Sequence, residues 1–318
     1  MKNVKKELEK PKSLQKLQIL FARSNLSRQE KQRYNKKMKG YIGEKEFYNL
    51  LKKNLPTNAI ILHDLLLESN NSIFQIDNIL VHGKTIFSFE VKNFEGEFYI
   101  DNGNWYVKAT QQEIRNPLHQ LKKNDYLLRH LVQQLGYNIP IKSYLVFVNP
   151  EFTLYQLPVN LPIILPTQLN RFSQNLNRSF TPPNQGHHQL AKELKNLQIT
   201  DSPFENITNY NFKQLKKGIT CPKCFSLLSR HTLRTLMCGN CDFSEEMKHA
   251  ILRSVVEFKI LFPNKKITTN IIYEWCGKIV SKQTIRKILS ENLIIIKTGR
   301  YSYYEFRNKA DAVNNSNE

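Results

Sequence analysis

The hydrophobic and polar positions between residues 40 and 150 follow two periods, which separate helices from strands. From Tyr41 onward, apolar residues recur at three- and four-residue steps until Pro56 interrupts them, a pattern typical of an amphipathic helix. Three β-like runs follow, divided by short polar turns. These runs cover residues 59–67, 73–81 and 85–92. This order predicts a helix followed by a three-stranded meander.

A second helix has the clearest boundaries in the chain. Asn116 is the expected N-cap, Pro117 takes the first helical position, and Gly136 ends the helix. Before this helix, an Asn-Gly pair favours a tight hairpin turn because it supplies positive φ angles. After it, residues 142–148 are largely apolar, as in a strand buried within a sheet that has helices on its faces. The complete order, αβββ, hairpin and αβ, predicts an α/β fold.

The segments on either side of this region are distinguished by charge and by proline. Residues 1–39 are expected to form a basic N-terminal arm, because residues 1–40 contain 13 Lys or Arg against three Glu. A solvated tail without a function is the alternative interpretation of this charge run. Residues 151–218 contain several prolines and few regular patterns, which predicts a peripheral subdomain and linker.

Three charged residues on the second and third predicted strands are the main catalytic candidates. Glu90 and Lys92 are two residues apart, so they face the same side of a strand. If residues 83–84 form a two-residue type II′ turn, Asp77 lies directly opposite Glu90, with the two Cβ atoms about 4.5–5.5 Å apart. A three-residue loop would instead put the two carboxylates on opposite faces of the sheet.

Two adjacent carboxylates and a lysine suit the hydrolysis of a phosphodiester. Asp77 and Glu90 repel each other unless a cation lies between them, which predicts a site for Mg²⁺ or Mn²⁺. Such a cation polarises a phosphodiester and activates water, while Lys92 orients that water or stabilises the developing charge. Glu44, on the first helix, is expected to lean over the same end of the sheet as a further ligand or as an acceptor for metal-bound water. Ordinary charged residues on the solvent face of a sheet are the alternative.

Four short motifs together resemble the nuclease-related domain (NERD) family over residues 40–149. The motifs are Gly40-Tyr41-Ile42-Gly43-Glu44, Gln75-Ile76-Asp77, Phe89-Glu90-Val91-Lys92-Asn93 and Asn116-Pro117-Leu118-His119-Gln120. That family is similar to the PD-(D/E)xK restriction-endonuclease-like superfamily, so the resemblance implies an αβββαβ core with a mixed sheet and a metal-dependent nuclease activity. It also implies catalytic roles for Asp77, Glu90 and Lys92. Glu44 is then an auxiliary acid, and Gln120 is a polar site residue near the nucleic acid.

Four of the five cysteines form two Cys-x-x-Cys pairs with the spacing of a zinc site. The four are Cys221, Cys224, Cys238 and Cys241. They are expected to bind one structural Zn²⁺ tetrahedrally, because the protein supplies all four ligands. The residues between the pairs can form hairpin arms, which predicts a small zinc ribbon over residues 219–245, with Gly239 permitting the second tight turn. A redox dithiol and unligated paired cysteines are the alternatives.

The segment after the cysteines, residues 246–307, is typical of a helical module that resembles a winged helix. Amphipathic runs predict three helices, and two short β-like runs around Gly299 predict a wing. In a winged helix, five of its polar side chains would face DNA. They are Lys282, Gln283, Arg286 and Lys287 on the last helix and Arg300 on the wing. A small helical end domain with a basic solvent face is the alternative, and residues 308–318 are expected to be a disordered tail.

Composition makes nucleic acid the expected partner. The 318 residues contain 47 Lys or Arg against 27 Asp or Glu, a formal charge of +20, which favours a polyanionic partner. No apolar stretch approaches the ~18 residues of a membrane span and no signal peptide is recognisable, so a cytoplasmic protein is expected. The sequence therefore predicts a metal-dependent nuclease, with DNA as the expected substrate. A non-catalytic DNA-binding or regulatory protein on a nuclease-like scaffold is the alternative, and substrate strandedness, cleavage mode and oligomeric state stay open.

Overall fold

The computed structural model describes residue 8 and residues 10–199, 209–298 and 301–307. The chain divides into two compact units. Unit 1 comprises residues 1–10 and 35–205, and unit 2 comprises residues 11–34 and 206–318. Arg300 and the expected disordered tail, residues 308–318, lie outside the described residues.

Unit 1 combines helices with two β-sheets, whereas unit 2 combines helices with short strands. The helices are α1 Lys12–Arg23, α2 Arg28–Asn54, α3 Pro117–Gln134, α4 Leu169–Arg178, α5 Gln185–Asn196, α6 Met247–Leu261, α7 Thr269–Trp275 and α8 Lys282–Asn292. The strands of unit 1 are β1 Ile60–Ser69, β2 Ser72–His82, β3 Thr85–Lys92, β4 Gly96–Asp101, β5 Asn104–Val107, β6 Glu113–Ile114, β7 Ile141–Phe147, β8 Phe152–Tyr155 and β9 Ile163–Ile164. The strands of unit 2 are β10 Leu228–Arg230, β11 Thr235–Cys238, β12 Ser244–Glu246, β13 Ile294–Thr298 and β14 Tyr301–Glu305.

The main sheet of unit 1 has five strands in the order β1-β2-β3-β7-β9. β1, β2 and β3 are antiparallel neighbours, whereas β7 pairs with β3, and β9 with β7, in parallel. The sheet is therefore mixed, and the predicted αβββαβ order is confirmed. The predicted boundaries of α3 are also found: the Asn116 side chain accepts a hydrogen bond from the backbone N–H of Leu118 at 2.9 Å, and Gly136 follows the helix with a φ of +83°.

Helices cover both faces of this sheet. α3 and α5 pack on one face, where Leu128 and Leu190 join the apolar side chains of β1 and β2. α2 packs on the other face, where Leu51 belongs to the same cluster as Phe89 of β3. The central strands are therefore buried on both faces, which explains their nearly continuous apolar runs.

β1 and β2 share a break in their side-chain alternation. Leu62 and Leu65 are three residues apart, yet both lie in the core cluster that α3 and α5 cover, and Ile79 and Ile76 opposite them do the same. Asp64 lies at the break with a φ of +48°, a conformation that few residues other than Gly, Asn and Asp adopt. The alternation of side chains is interrupted at the same place in both strands, so the residues on either side of the break are paired in the same register.

The interval expected to be a peripheral subdomain and linker contributes strands to both sheets of unit 1. β9 extends the main sheet, and β8 pairs in parallel with β4 in a four-stranded sheet of order β6-β5-β4-β8. Leu176 of α4 and Leu190 of α5 are buried against opposite faces of the main sheet. The prolines of this interval limit the length of each element, but the elements still pack into the core.

Unit 2 has one hydrophobic core, which the cysteine segment and the C-terminal helices share. Leu236 of β11, Phe258 of α6 and Trp275 of α7 belong to a single buried cluster. After α6, α7 and α8, β13 and β14 form an antiparallel hairpin, and Ile267 forms a bridge with Tyr304 of that hairpin. Three helices followed by a two-stranded hairpin are the elements expected for a winged-helix-like module.

Residues 11–34, which the sequence assigns to a basic arm, belong to unit 2 and contain α1 and the first turns of α2. Arg23 at the end of α1 is fully buried. Its Nη2 lies 2.8 Å from Glu257 Oε2, its Nη1 donates to the Gly218 carbonyl at 2.9 Å, and its guanidinium lies 3.9 Å from the Trp275 ring centroid. This part of the basic segment is structural, because a buried guanidinium is stable only when its charge and its donors are paired.

Candidate active site and metal centre

The turn between β2 and β3 fixes the relative position of two predicted site residues. The turn contains two residues, as predicted, and its first residue, Gly83, has a φ of +57°. The register that it sets runs back along both strands to the pair Asn78 and Phe89. The next positions, Asp77 and Glu90, are therefore neighbours across the two strands.

Asp77, Glu90 and Lys92 converge at this end of β3. Asp77 Oδ2 accepts a hydrogen bond from the backbone N–H of Val91 at 2.7 Å. The Lys92 ammonium donates to Glu90 Oε1 at 2.7 Å and to Gln120 Oε1 at 3.1 Å. Asp77 and Glu90 are only 7% and 3% exposed. The structure therefore brings Gln120 of α3 into contact with the carboxylate–lysine pair.

A buried amide, Asn124, belongs to this network and is absent from the sequence prediction. Asn124 follows Gln120 by one turn of α3, and its Nδ2 donates to Glu90 Oε2 at 3.2 Å and to the Gln75 backbone carbonyl at 2.8 Å. Each oxygen of Glu90 thus has its own partner, Lys92 on one side and Asn124 on the other. The four-residue spacing from Gln120, which puts both side chains on one face of a helix, is the signal that could have indicated Asn124.

α2 approaches the end of β3 closely and carries Glu44 toward the carboxylates. A Cβ atom on Gly43 would lie 2.7 Å from Asn93 Cβ, so a side chain at this position would collide with the residue that follows β3. Asn93 Nδ2 also donates to the Lys39 backbone carbonyl at 2.8 Å, which ties the same helix to the same strand end. The glycine before Glu44 is therefore required by packing.

Asp64 is a further carboxylate near this cluster that sequence reasoning missed. The register of β1 and β2 puts Asp64 in line with Asp77, between the pairs on either side. Asp64 Oδ1 accepts a hydrogen bond from Gln75 Nε2 at 2.8 Å. The signal that could have indicated Asp64 is the two-residue turn between Ser69 and Ser72, in which Asn70 and Asn71 both have positive φ. Counting back from that turn leads to Asp64.

The four carboxylates oppose one another's ionisation. Burial raises the pKa of Glu44 to about 7, with further contributions from the charges of Asp64 and Glu90 and an opposing one from Lys92. Burial, followed by the charges of Glu90 and Glu44, raises the pKa of Asp77 well above its usual range. Burial also raises the pKa of Glu90, although Lys92 and the neighbouring amide lower it. One ammonium group therefore faces a local excess of acidic groups.

The donors of this cluster fit a hard divalent cation better than they fit any softer metal. Mg²⁺ binds to one or two carboxylates, keeps several waters and takes its remaining oxygens from a phosphate substrate. Asp77 and Glu90 offer such a carboxylate pair, and a cation would favour their ionised forms against the burial that raises both pKa values and the neighbouring charges that raise that of Asp77 further. These carboxylates are not gathered as tightly as a complete ligand set: among the described residues, only the four cysteines bring three or more candidate ligand atoms within 4.8 Å of one another.

Unit 2 contains the cysteine cluster that the sequence predicts. The Sγ atoms of Cys221, Cys224, Cys238 and Cys241 all lie within 4.8 Å of one another. The closest approaches are 3.3 Å between Cys224 and Cys238 and 3.6 Å between Cys221 and Cys241. Hydrogen bonds from Asn240 and Ser226 lower the pKa of Cys224, whereas burial and the neighbouring thiols raise that of Cys241, so the four thiols favour one thiolate and a metal would have to displace the other protons. Four thiols at one point match a closed site for a metal such as Zn²⁺.

The two Cys-x-x-Cys turns have the same backbone pattern. The N–H of Phe225 donates to the Cys221 carbonyl, and the N–H of Asp242 donates to the Cys238 carbonyl, both at 3.0 Å. Phe225 and Asp242 have φ angles of +63° and +53°, whereas Gly239 is not among the glycines with positive φ. The expectation that Gly239 permits the tight turn is therefore wrong, because the left-handed residue is the one that follows the second cysteine of each pair.

α8 carries four of the polar residues predicted to face DNA. Lys282, Gln283, Arg286 and Lys287 are all exposed. Ser281 caps the helix as predicted, because its hydroxyl accepts a hydrogen bond from the Thr284 N–H at 3.1 Å. Lys287 lies 4.0 Å from Glu291 in the next turn. The fifth predicted residue, Arg300, lies outside the described residues.

Comparison with known proteins finds a similarity for much of unit 1. Residues 39–148 match the family model described as the nuclease-related domain, so the resemblance drawn from the four motifs is confirmed over this interval. An uncharacterized protein of Bacillus anthracis is 28% identical over 129 residues, which cover 39% of this chain and 59% of that relative. The match thus spans less than two thirds of the relative's length. No solved structure has a significant match.

Proposed function

We propose that this protein is a divalent-metal-dependent nuclease that hydrolyses phosphodiester bonds, with DNA as the expected substrate. The observation that carries the proposal is the convergence of Asp77, Glu90 and Lys92, since two buried carboxylates and an ammonium group meet at one end of β3. The match of residues 39–148 to the nuclease-related domain supports the same chemistry. Carboxylates whose pKa values are perturbed by burial and by a specific charged partner are typical of active sites.

The residues of the cluster have separable roles in this proposal. Asp77 and Glu90 would hold Mg²⁺ or Mn²⁺, which supplies Lewis-acid activation of the phosphate and of water when bound. The Lys92 ammonium stabilises the negative charge that develops on the phosphate oxygens. Gln120 holds Lys92 in position through its side-chain carbonyl. Glu44, at the same end of the sheet, is a further ligand or an acceptor for metal-bound water in this proposal.

Nucleic-acid binding is assigned mainly to unit 2 in this proposal. Its residues include 25 Lys or Arg against 10 Asp or Glu, so unit 2 holds 15 of the 20 excess positive charges. The metal-bound cysteine segment would keep its hairpin folded, and the exposed basic side chains of α8 would contact phosphates or bases. Among the described residues, no helix is long and apolar enough to cross a membrane. The two Cys-x-x-Cys pairs, whose spacing suits a metal ion, support our further proposal that the protein works in the reducing cytoplasm, where such pairs bind metal more often than they form disulfides.

A cleavage assay tests the catalytic proposal. Purified full-length protein is incubated with single- and double-stranded DNA and RNA in the presence of Mg²⁺, Mn²⁺ or no divalent cation, beside Asp77→Asn and Lys92→Ala. Asp101→Asn is the matched control, because Asp101 is an exposed carboxylate outside the cluster. We expect metal-dependent cleavage in the wild type and in the control, and its loss in both site variants.

A negative cleavage assay would favour a different function. Among the described residues, no three carboxylates bring their oxygen atoms within 4.8 Å of one another, which is the observation that favours a non-catalytic protein using a nuclease-like scaffold. If the wild type binds DNA but cleaves no substrate with any cation, this scaffold function replaces the nuclease. If cleavage persists in Asp77→Asn and Lys92→Ala, the assigned residues are not the catalytic ones.

The metal of the cysteine cluster is tested separately. Elemental analysis of purified protein is expected to find one zinc per chain in the wild type and a strongly reduced content in Cys224→Ser. Cys276→Ala is the matched control, because Cys276 is buried in the core of unit 2 and does not belong to the cluster. An unchanged zinc content in Cys224→Ser would exclude the proposed site.

A further inference from the structure

A basic cleft on unit 2, which we call the lysine cleft, lies apart from the predicted DNA-facing residues of α8. Its volume is about 220 Å³. It is lined by Lys259, Asn264, Lys265, Lys266, Tyr303, Tyr304 and Glu305. The three lysines come from the end of α6 and from the segment that leads to α7, and the tyrosines come from β14. Three ammonium groups thus share one small opening with a single carboxylate.

Aromatic rings and a carbonyl hold these lysines in place. The Lys266 Nζ lies 4.3 Å from the Tyr303 ring centroid, and the Lys265 Nζ lies 5.2 Å from that of Phe212. The Lys259 Nζ donates to the Lys265 backbone carbonyl at 3.1 Å. None of the three lysines forms an ion pair with a carboxylate in the part of the chain that the structure describes.

This arrangement orders the positive charges without neutralising them. A cation over a ring is attracted to the ring's negative face and keeps its full charge, whereas an ion pair with a carboxylate would cancel the charge. A surface of ordered, uncompensated ammonium groups binds anions with little further loss of side-chain entropy. Phosphates of a nucleic-acid backbone are such anions, and the positive field of unit 2 would draw them in.

We propose that the lysine cleft binds phosphates of the nucleic-acid backbone, in addition to the surface of α8. The proposal rests on the proposed function, because it names a second contact between unit 2 and the same substrate. Lys265 and Lys266 supply the phosphate contacts, and Lys259 holds the segment that carries them. The contact is independent of base sequence, since ammonium groups and phosphates carry no sequence information.

The salt dependence of binding tests this proposal. Binding of full-length protein to a labelled DNA duplex is measured by fluorescence anisotropy between about 50 and 200 mM NaCl, without added divalent cation. The slope of log K against log[salt] is negative, and each lost phosphate contact reduces its magnitude by about 0.9, so Lys265→Ala/Lys266→Ala should reduce the magnitude by roughly 1.8. Lys265→Arg/Lys266→Arg should keep the wild-type slope, because the charges remain.

The control is Lys213→Ala/Lys248→Ala, which removes the same charge from unit 2 outside the cleft. A slope of smaller magnitude in the cleft variant alone supports the proposal. An unchanged slope in the cleft variant, or an equal change in the control, overturns it and attributes binding to the overall charge. The outcome is independent of the catalytic proposal: cleavage lost only in Asp77→Asn, together with an unchanged slope in the cleft variant, would keep the nuclease and reject the lysine cleft.

Discussion

Replacement of Glu44 by Gln should stabilise the metal-free protein at neutral and alkaline pH. Burial and the neighbouring carboxylates raise the pKa of Glu44 from 4.5 to about 7. The difference of about 2.5 between these pKa values corresponds to roughly 3–4 kcal/mol, at about 1.4 kcal/mol for each tenfold change in proton affinity. The folded state binds the Glu44 proton more tightly than the unfolded state does, so the protonated carboxyl contributes to the free energy of unfolding. This contribution is fully present below the unfolded pKa of 4.5 and is lost as the pH rises through 7.

Native-state hydrogen exchange of the slowest amides in β2 and β3 measures the free energy of unfolding for unit 1 by itself. Between about pH 5 and pH 8, the free energy of unfolding of the wild type should fall by up to about 3 kcal/mol more than that of Glu44→Gln. Glu46→Gln is the control, because Glu46 lies two residues away on the same helix, is exposed, and carries the same charge. Added Mg²⁺ should reduce the loss in the wild type, since a bound cation favours ionised carboxylates.

Two results would refute this reasoning. Parallel pH profiles for the wild type and Glu44→Gln would mean that the Glu44 carboxyl ionises without an energetic cost in the folded protein. An equal effect of Glu46→Gln would mean that the pH dependence comes from the net charge of the chain, and that burial of Glu44 at the cluster has no part in it.

Two further substitutions test the packing described above, each by chemical denaturation. Gly43→Ala should destabilise unit 1 by roughly 1–3 kcal/mol, because its Cβ would lie 2.7 Å from Asn93 Cβ. Gly40→Ala is the control: it should be neutral or stabilise by up to about 1 kcal/mol, since the nearest atom to its Cβ would be 4.0 Å away. Equal effects of the two substitutions would contradict the close approach at Gly43. Arg23→Ala should destabilise unit 2 by about 3 kcal/mol, because it removes a buried partner of Glu257; an unchanged midpoint would show that Arg23 is not required.

Local sequence signals predict the parts of the site that depend on short-range geometry. The two-residue turn at Gly83 sets the β2–β3 register, so the neighbouring positions of Asp77 and Glu90 follow from counting along two strands. The helix signals at Asn116 and Gly136 likewise bound α3 and bring Gln120 to the site. Each of these inferences uses residues that are close in sequence or a turn that connects them directly.

The remaining contacts depend on distances that a single sequence does not encode. The approach of Asp64 to Glu44 is one such contact, because counting along β1 and β2 puts Asp64 in line with Asp77 but says nothing about the position of α2. From the sequence alone, Arg23 cannot be distinguished from the other charges of the basic segment, since its partner Glu257 is 234 residues away. Only the packing of α1 against α6, which no local pattern predicts, identifies it as a buried structural residue.

The backbone at Asp64 makes the residue type at this position informative in any related chain. A φ of +48° is most easily adopted by glycine, while Asp tolerates it and also supplies a carboxylate. A homologue with Gly here would keep the strand geometry and lose the charge, whereas one with Val or Ile would need a different path for the strand. Position 64 thus allows a requirement of folding to be told apart from a requirement of chemistry by inspection of an alignment.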